Sequence, residues 1–427
     1  MTYQEACAWL DQHQFFKIKL GLETTRELLH ELGNPQDTLK IIHIAGTNGK
    51  GSVGATLLAL LGAGGYRTGF FSSPHFHSVR ERFRIGNALI SKDDFSRLIK
   101  RLADFLEGRP HPTYFELTTI LALLWFAEQK TEVVILETGM GGRLDATNVV
   151  TPIVSIITDI SRDHEQYLGN TIAAIAGEKA GIIKPGVAVV FSGRETEALP
   201  VILDRCRELG SPLTLFGRDF HGQSEDHGLG YSGKDGRPHR YPLILQGAHQ
   251  VINTSLALAT LEVVHDVLPL SQEQIRTGLE QVRWPGRMEL MRVPFHGQKL
   301  RVLLDGAHNE AGVARLCQSL QSGYPRERLF LLWGNMADKV MGPAFDRLLS
   351  LATTLILTRA ESERSANPQT LQARLPQEVR ARTICIEPVS NALQEALRLA
   401  TDRDLICVAG SLYLVGIVRH VLLKEDA

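Results

Sequence analysis

The chain has 427 residues, room for two or three domains at about 150 residues each. Its 46 Lys and Arg against 47 Asp and Glu leave a net charge of -1, so no global basic field exists to hold nucleic acid or an anionic membrane. Five scattered cysteines (Cys7, Cys206, Cys317, Cys385, Cys407) without CxxC spacing argue against a zinc site or a disulfide framework and suit a reducing cytosol.

The opening MTYQEACAWLDQHQFFKIKLGLE has no basic region followed by an apolar one, so no signal peptide is visible. Apolar runs such as 121–127 fall short of the roughly 18–20 residues a membrane span needs. A soluble, cytoplasmic protein is expected.

In chain order, short β-branched runs at 41–45, 133–137, 154–158 and 187–192 alternate with helical patterns. Runs at 301–305, 329–333, 354–358 and 405–409 repeat the theme. Strands this apolar are buried on both faces, which predicts α/β architecture with parallel-rich sheets. Residues 218–241 turn polar and Gly-rich, which predicts a loop or exposed hairpin and not a core element. Helical patterns follow at 248–267 and 272–282. Trp284-Pro285-Gly286-Arg287 then breaks the pattern and marks a hinge, giving a first domain 1–287 and a second, smaller α/β domain 288–427.

The most informative local signal is IIHIAGTNGKGS (41–52), an apolar strand running into a Gly-rich turn and then a helix at 53–61. Glycines let backbone N–H groups curl around phosphate oxygens, and the helix N-terminus adds favourable partial charge. Thr47, Asn48, Gly49 and Gly51 form the cradle, Lys50 supplies charge for the outer phosphates, and the Ser52 hydroxyl can reach Mg²⁺. The run departs from GxxxxGK[ST]: Ile44 stands where the first glycine would be, and Gly51 separates Lys50 from Ser52. Phosphate binding alone leaves a kinase, a regulatory NTPase and an ATP-driven ligase open.

Further strings narrow the choice. GTNGKGS (46–52), Ser73-Pro74-His75, ETGMGGRLDATN (137–148), Asp163-His164, Leu168-Gly169, EKAGIIKPG (178–186), DGAHN (305–309) and GSLYLVG (410–416) occur in this order. Together they resemble the folylpolyglutamate synthase/dihydrofolate synthase branch of the Mur ligase superfamily, over about residues 15 to 420. The resemblance implies a P-loop ATPase domain followed by a smaller Rossmann-like glutamate-ligase domain. It also implies ATP and Mg²⁺ as cofactors, and a reaction in which ATP phosphorylates a carboxylate and the glutamate amine then displaces phosphate.

By the same resemblance, Ser73, Glu137 and His164 are the Mg²⁺ ligands, with Ser52 a possible helper. Glu137 also ends the apolar run 133–136, where α/β sheets bind ligands. Lys179 matches a lysine that is carbamylated and helps hold a second metal; the bland alternative is a structural lysine paired with Glu178. Asn253 matches a contact to the nucleotide base, Arg287 one to ATP phosphates, and Asp305 one to ATP from the second domain. His308 matches a histidine close to the reacting groups, and Lys50, Lys179 and His308 form the expected catalytic set.

For the acceptor, Lys17, Ile18, Lys19 and Leu20 resemble the segment that covers the pterin in dihydropteroate-using members; the lesser alternative is plain helix-to-loop packing of Phe15, Phe16, Ile18 and Leu20. Asp145, flanked by Leu144 and Ala146, matches the aspartate that hydrogen-bonds the pterin, a ring rich in N–H donors. Thr113, Tyr114, Phe115 and Glu116 fall where the family lines that pocket, and Phe115 offers a stacking face. The expected partners are dihydropteroate, tetrahydrofolate polyglutamates and L-glutamate, acting on a monomer without nucleic acid or membrane. A monofunctional folylpolyglutamate synthase is the nearest alternative, and a P-loop kinase or regulatory NTPase the remote one.

Overall fold

In the computed structural model, which describes residues 1–15, 21–109, 112–226, 228–336, 342–360 and 365–423, the apolar runs become the central strands of two sheets. These sheets belong to separate compact units. The first unit comprises Met1–Pro74, Ser78–Ile244 and His249–Arg283; the second comprises His75–His77, Leu245–Ala248 and Trp284–Ala427.

In the first unit the strands are β1 (Ile41–Ala45), β2 (Thr68–Phe71), β3 (Phe83–Ile85), β4 (Ala88–Leu89), β5 (Val133–Glu137), β6 (Val154–Ile157), β7 (Ala188–Phe191) and β8 (Leu213–Leu215). They lie in the order β4-β3-β2-β5-β1-β6-β7-β8, with β3 and β4 antiparallel and the rest parallel. Chain order reverses around β1, which sits between β5 and β6. The loops leaving the C-terminal ends of these three strands therefore open a crevice at a topological switch point, the usual ligand position in such sheets. The expected parallel α/β architecture is what forms.

The helix expected at 53–61 runs from Lys50 to Ala63 and is buried along most of its surface. It packs against the helices His249–Val263 and Gln272–Glu280. The helix Tyr114–Glu128 begins at a capping box: Glu116 N–H donates to Thr113 Oγ1 (3.3 Å) and Thr113 N–H donates to Glu116 Oε2 (2.7 Å). Such a cap satisfies two otherwise unpaired N–H groups at the helix start.

Residues 218–241 correct the sequence expectation. They form a three-stranded antiparallel sheet, β9 (His221–Glu225), β10 (Gly228–Ser232) and β11 (Pro238–Tyr241), in the order β11-β10-β9. Leu229, Tyr231 and Tyr241 are buried, and Gly222 comes against Ser255 of the helix His249–Val263. Glycines there permit close packing, which their loop-like composition disguises.

The second unit holds β12 (Glu289–Phe295), β13 (Gln298–Leu304), β14 (Leu329–Trp333), β15 (Thr354–Leu357), β16 (Thr383–Cys385) and β17 (Leu405–Ala409). Their order is β12-β13-β17-β14-β15-β16, parallel except for β12, with an apolar core on each face. Phe76, distant in sequence, lies in this unit: a Cβ on Gly416 would stand 2.6 Å from its carbonyl oxygen. No helix among the described residues is long and apolar enough to cross a membrane.

Candidate active site

β1 ends at Ala45, and the turn 46–49 delivers the chain into the helix Lys50–Ala63, whose first turn offers unpaired N–H groups at the sheet edge. Gly49 takes φ 94°, and a Cβ there would stand 2.5 Å from Asn253 Oδ1, so conformation and space both require glycine. Asn253 Nδ2 donates to Gln250 Oε1 (2.9 Å), and Gln250 Nε2 donates to Ser52 Oγ (3.3 Å). Lys50 Nζ donates to the carbonyls of Gly46 (3.0 Å) and Thr47 (3.4 Å), which holds its charge over the turn.

The loop after β6 clamps the other side. Thr47 N–H donates to Asp159 O (2.7 Å), and its hydroxyl donates to Ser161 O (3.0 Å) while accepting from Ser161 N–H (3.1 Å). Asn48 Nδ2 donates to Ser161 Oγ (3.2 Å), and Thr158 Oγ1 donates to Asn48 O (2.8 Å). Gln250, Thr158 and Ser161 carry no signal in the sequence. Each is an ordinary polar residue whose partner lies far away in the chain.

Pairing places Glu137 beside Ile44, one residue before the end of β1. Its buried carboxylate accepts from the N–H of Ser73 (3.4 Å), which follows β2. His164 lies beyond β6 in the left-handed region (φ 51°), with a side chain 40% exposed and its N–H donated to Asp163 Oδ1 (2.9 Å). Among the described residues no three His, Cys, Asp or Glu side chains converge as a ready-made cation cage. One carboxylate with the hydroxyls of Ser52 and Ser73 is nonetheless a hard-oxygen set. Mg²⁺ commonly binds through one or two carboxylates plus phosphate oxygens and water, so these residues fit it.

Lys179 lies in the last turn of the helix Ile172–Ala180 and is 3% exposed. Its position is fixed by backbone ties. Arg143 N–H donates to Glu178 O (2.7 Å), and Asn148 Nδ2 donates to Arg143 O and Gly181 O (3.0 Å each). Glu178 pairs with Arg143 at 2.7 Å, not with Lys179. Among the described residues the Lys179 ammonium has no hydrogen-bond or ion-pair partner, although its carbonyl accepts from Ile182 N–H (3.3 Å). Burial pulls its pKa down to about 7, repulsion from Lys50 adds to this, and Asp163, Asp145 and Asp159 oppose it.

Next to this, Phe115 lies on Gly139, where an added Cβ would meet its ring at 2.6 Å. Asp145 is buried between Leu144 and Ala146, and its carboxylate accepts from Met140 N–H (2.8 Å), Thr147 N–H (3.0 Å) and Thr147 Oγ1 (2.5 Å). Burial raises its pKa while these donors hold it back. Buried Arg82 stands over the Tyr114 ring at 5.4 Å. Thr113 and Glu116 point their polar atoms into the capping box. Lys17, Ile18, Lys19 and Leu20 lie outside the described residues.

In the second unit, Asp305 follows β13 and accepts from Met288 N–H (2.9 Å) and Ala307 N–H (3.0 Å). Burial raises its pKa and the Arg287 guanidinium lowers it. Arg287 Nη1 lies against Gly306. His308 Nδ1 is 2.8 Å from Gly306 O, and since a carbonyl only accepts, that nitrogen carries the proton.

Residues 44–261 match the Mur ligase middle domain, and residues 286–412 match the Mur ligase glutamate ligase domain. A dihydrofolate synthase/folylpolyglutamate synthase from Bacillus subtilis is 32% identical over 99% of both chains. The chain belongs to the dihydrofolate synthase/folylpolyglutamate synthase family of Mur ligases. A Lacticaseibacillus casei folylpolyglutamate synthase is 33% identical (99% of each chain), and a Saccharomyces cerevisiae dihydrofolate synthetase 32% (93% of this chain, 97% of that one). Identity therefore does not choose between the two activities within the family.

Solved structures of the family agree in fold. A Mycobacterium tuberculosis folylpolyglutamate synthase complexed with ADP superposes with a TM-score of 0.90 at 30% identity, covering 100% of this chain and 99% of that one. Escherichia coli FolC in complex with DHPP and ADP gives 0.88 at 29% identity, covering 98% of each. This family member is accordingly an ATP-dependent ligase.

Proposed function

We infer that this enzyme adds L-glutamate both to dihydropteroate and to the γ-carboxylate of tetrahydrofolates, through an acyl phosphate. One observation carries the reading: β1, β5 and β6 bring a phosphate-type loop, the buried Glu137 and the chain leading to Asp145 out of a single sheet edge. An acceptor held by Asp145 and Phe115 lies in the same crevice as a nucleotide held by residues 46–52.

Thr47, Asn48, Gly49, Lys50, Gly51 and Ser52 hold the ATP phosphates, and Asn253 meets the base. Mg²⁺, when held by Ser73, Glu137 and His164 with Ser52 in support, offsets the charge between the phosphates and the acceptor carboxylate. Lys50 adds a fixed positive charge at the transferring group. The acceptor carboxylate attacks the γ-phosphorus, the bond to ADP breaks, and an acyl phosphate forms. The glutamate amine then attacks the acyl carbon, an amide forms, and inorganic phosphate leaves with the bonding electrons.

We assign residues 1–287 to ATP and folate binding and 288–427 to glutamate ligation. Arg287, at the end of the first, and Asp305, in the second, serve the nucleotide. His308, carrying its proton on Nδ1, presents Nε2 as the proton-accepting nitrogen for the attacking amine. Lys179 acts as a carbamate, and the enzyme works as a cytoplasmic monomer.

The test is ATP-dependent incorporation of labelled glutamate, with dihydropteroate and tetrahydrofolate offered separately. Incorporation into both acceptors is expected. Incorporation into tetrahydrofolate alone would make the enzyme a monofunctional folylpolyglutamate synthase, and ATP turnover without amide formation would overturn the reading.

A further inference from the structure

His43 lies mid-strand in β1 and is completely buried. Its Nε2 is 2.9 Å from Thr147 Oγ1, which in turn is 2.5 Å from Asp145 Oδ1. A polar chain thus runs from the strand that bears the phosphate loop to the carboxylate assigned to the pterin.

The proton count fixes its direction. A threonine hydroxyl carries one proton. The N–H groups of Thr147 and Met140 already point at the Asp145 carboxylate, so Asp145 is the acceptor and takes the Thr147 proton as well. Only an Nε2–H on His43 completes the remaining contact. Burial, with the charge of Lys184 second, pushes the His43 pKa down to about 3, in keeping with a neutral ring.

His43 Nδ1 then carries a lone pair, and it has no partner among the described residues. The reversed chain, with a protonated Asp145 donating to Thr147 and Thr147 to Nε2, would leave an N–H stranded at Nδ1. Stranded buried N–H groups are the rarer outcome in native proteins. A residue kept only to fill β1 would not need a ring nitrogen, since its neighbours Ile41, Ile42 and Ile44 fill their places as hydrocarbon.

We propose that His43 is a positioning residue for pterin binding, holding Asp145 through Thr147 as an ionised acceptor for the N–H donors of dihydropteroate. The inference rests on the reading of Asp145 as the pterin-binding carboxylate. Charge-assisted hydrogen bonds strengthen when the donor is itself polarised by a further donor, which is what Nε2–H does to the Thr147 hydroxyl.

The test is steady-state kinetics on the full-length enzyme, varying dihydropteroate, ATP and glutamate in turn, with Tm measured for each variant. His43→Leu and Thr147→Val should each raise KM for dihydropteroate about tenfold, the scale of one lost hydrogen bond to a charged group. Their double variant should be no worse than either alone. His43→Gln, whose amide N–H replaces Nε2–H, should recover to within about threefold of the parent. KM for ATP should stay put throughout.

If Asp145→Asn raises KM for dihydropteroate while His43→Leu and Thr147→Val leave it alone, the link carries nothing and the proposal fails, although the pterin reading survives. If Asp145→Asn also leaves it alone, the pterin reading fails and the proposal with it. A rise in all three KM values together, tracking a lower Tm, would reduce His43 to packing. Should His43→Leu not fold, Thr147→Val against His43→Gln makes the same comparison.

Discussion

Carbon-13-labelled bicarbonate should place a carbamate on Lys179. At pH 7 an amine with the ordinary pKa of 10.5 is neutral in roughly one molecule in 3,000, whereas one at about 7 is neutral in roughly half. The population able to attack CO₂ is therefore larger by about three orders of magnitude. In the reaction nitrogen bonds to carbon, the amine loses a proton to solvent, and a cation becomes an anion. Lys50, which repels the ammonium, then attracts the product. The assay is ¹³C NMR between about pH 7 and 8, where the parent should show one carbamate carbonyl that Lys179→Arg lacks. No resonance in the parent, or an equal one in Lys179→Arg, would refute the argument.

The same depressed pKa has a signature in stability. Without bicarbonate, between about pH 7 and 10.5, the unfolded chain holds the Lys179 proton and the native chain does not. Stability conferred by this group therefore rises with pH across that window, by at most about 1.4 kcal/mol per pH unit. Lys179→Met should flatten that slope in urea unfolding.

Three other expectations are simpler. Lys50→Ala should lower kcat by roughly 10²–10³, as loss of one preorganised charge contact does; a near-normal kcat would remove Lys50 from the phosphate site. Gly139→Ala, whose Cβ would come within 2.6 Å of the Phe115 ring, should displace that ring and raise KM for dihydropteroate while sparing KM for ATP. Thr113→Ala should cost about 1 kcal/mol of stability through loss of the cap, readable as a lower urea midpoint.

Much of this molecule is legible locally, and the remainder is not, for a physical reason. The strand, turn and helix of 41–63 are readable because phosphate binding by backbone N–H groups demands glycines at fixed short spacing. The central parallel strands are readable because burial on both faces makes them continuously apolar. Strands exposed on one side escape such reading: in β12 the burial alternates along Glu289–Phe295, and β9 and β10 hide behind glycines. The clamp on the turn is invisible for another reason. Thr47 and Ser161 are 114 residues apart, and neither is unusual where it stands. Likewise His43 and Thr147, 104 residues apart, have meaning only once β1 and the loop after β5 are neighbours.

The reciprocal bonds between Thr47 and Ser161 bear on how this site can be rebuilt. The string 46–52 looks like a transferable cassette, yet Thr47 and Asn48 are held by hydrogen bonds with residues 158–161. Grafting the cassette alone into another α/β sheet would import a turn without its counterpart, leaving the Thr47 hydroxyl and Asn48 amide to find new partners. The portable unit is a matched pair of strand ends, and in designed libraries Thr47 and Ser161 should be varied jointly.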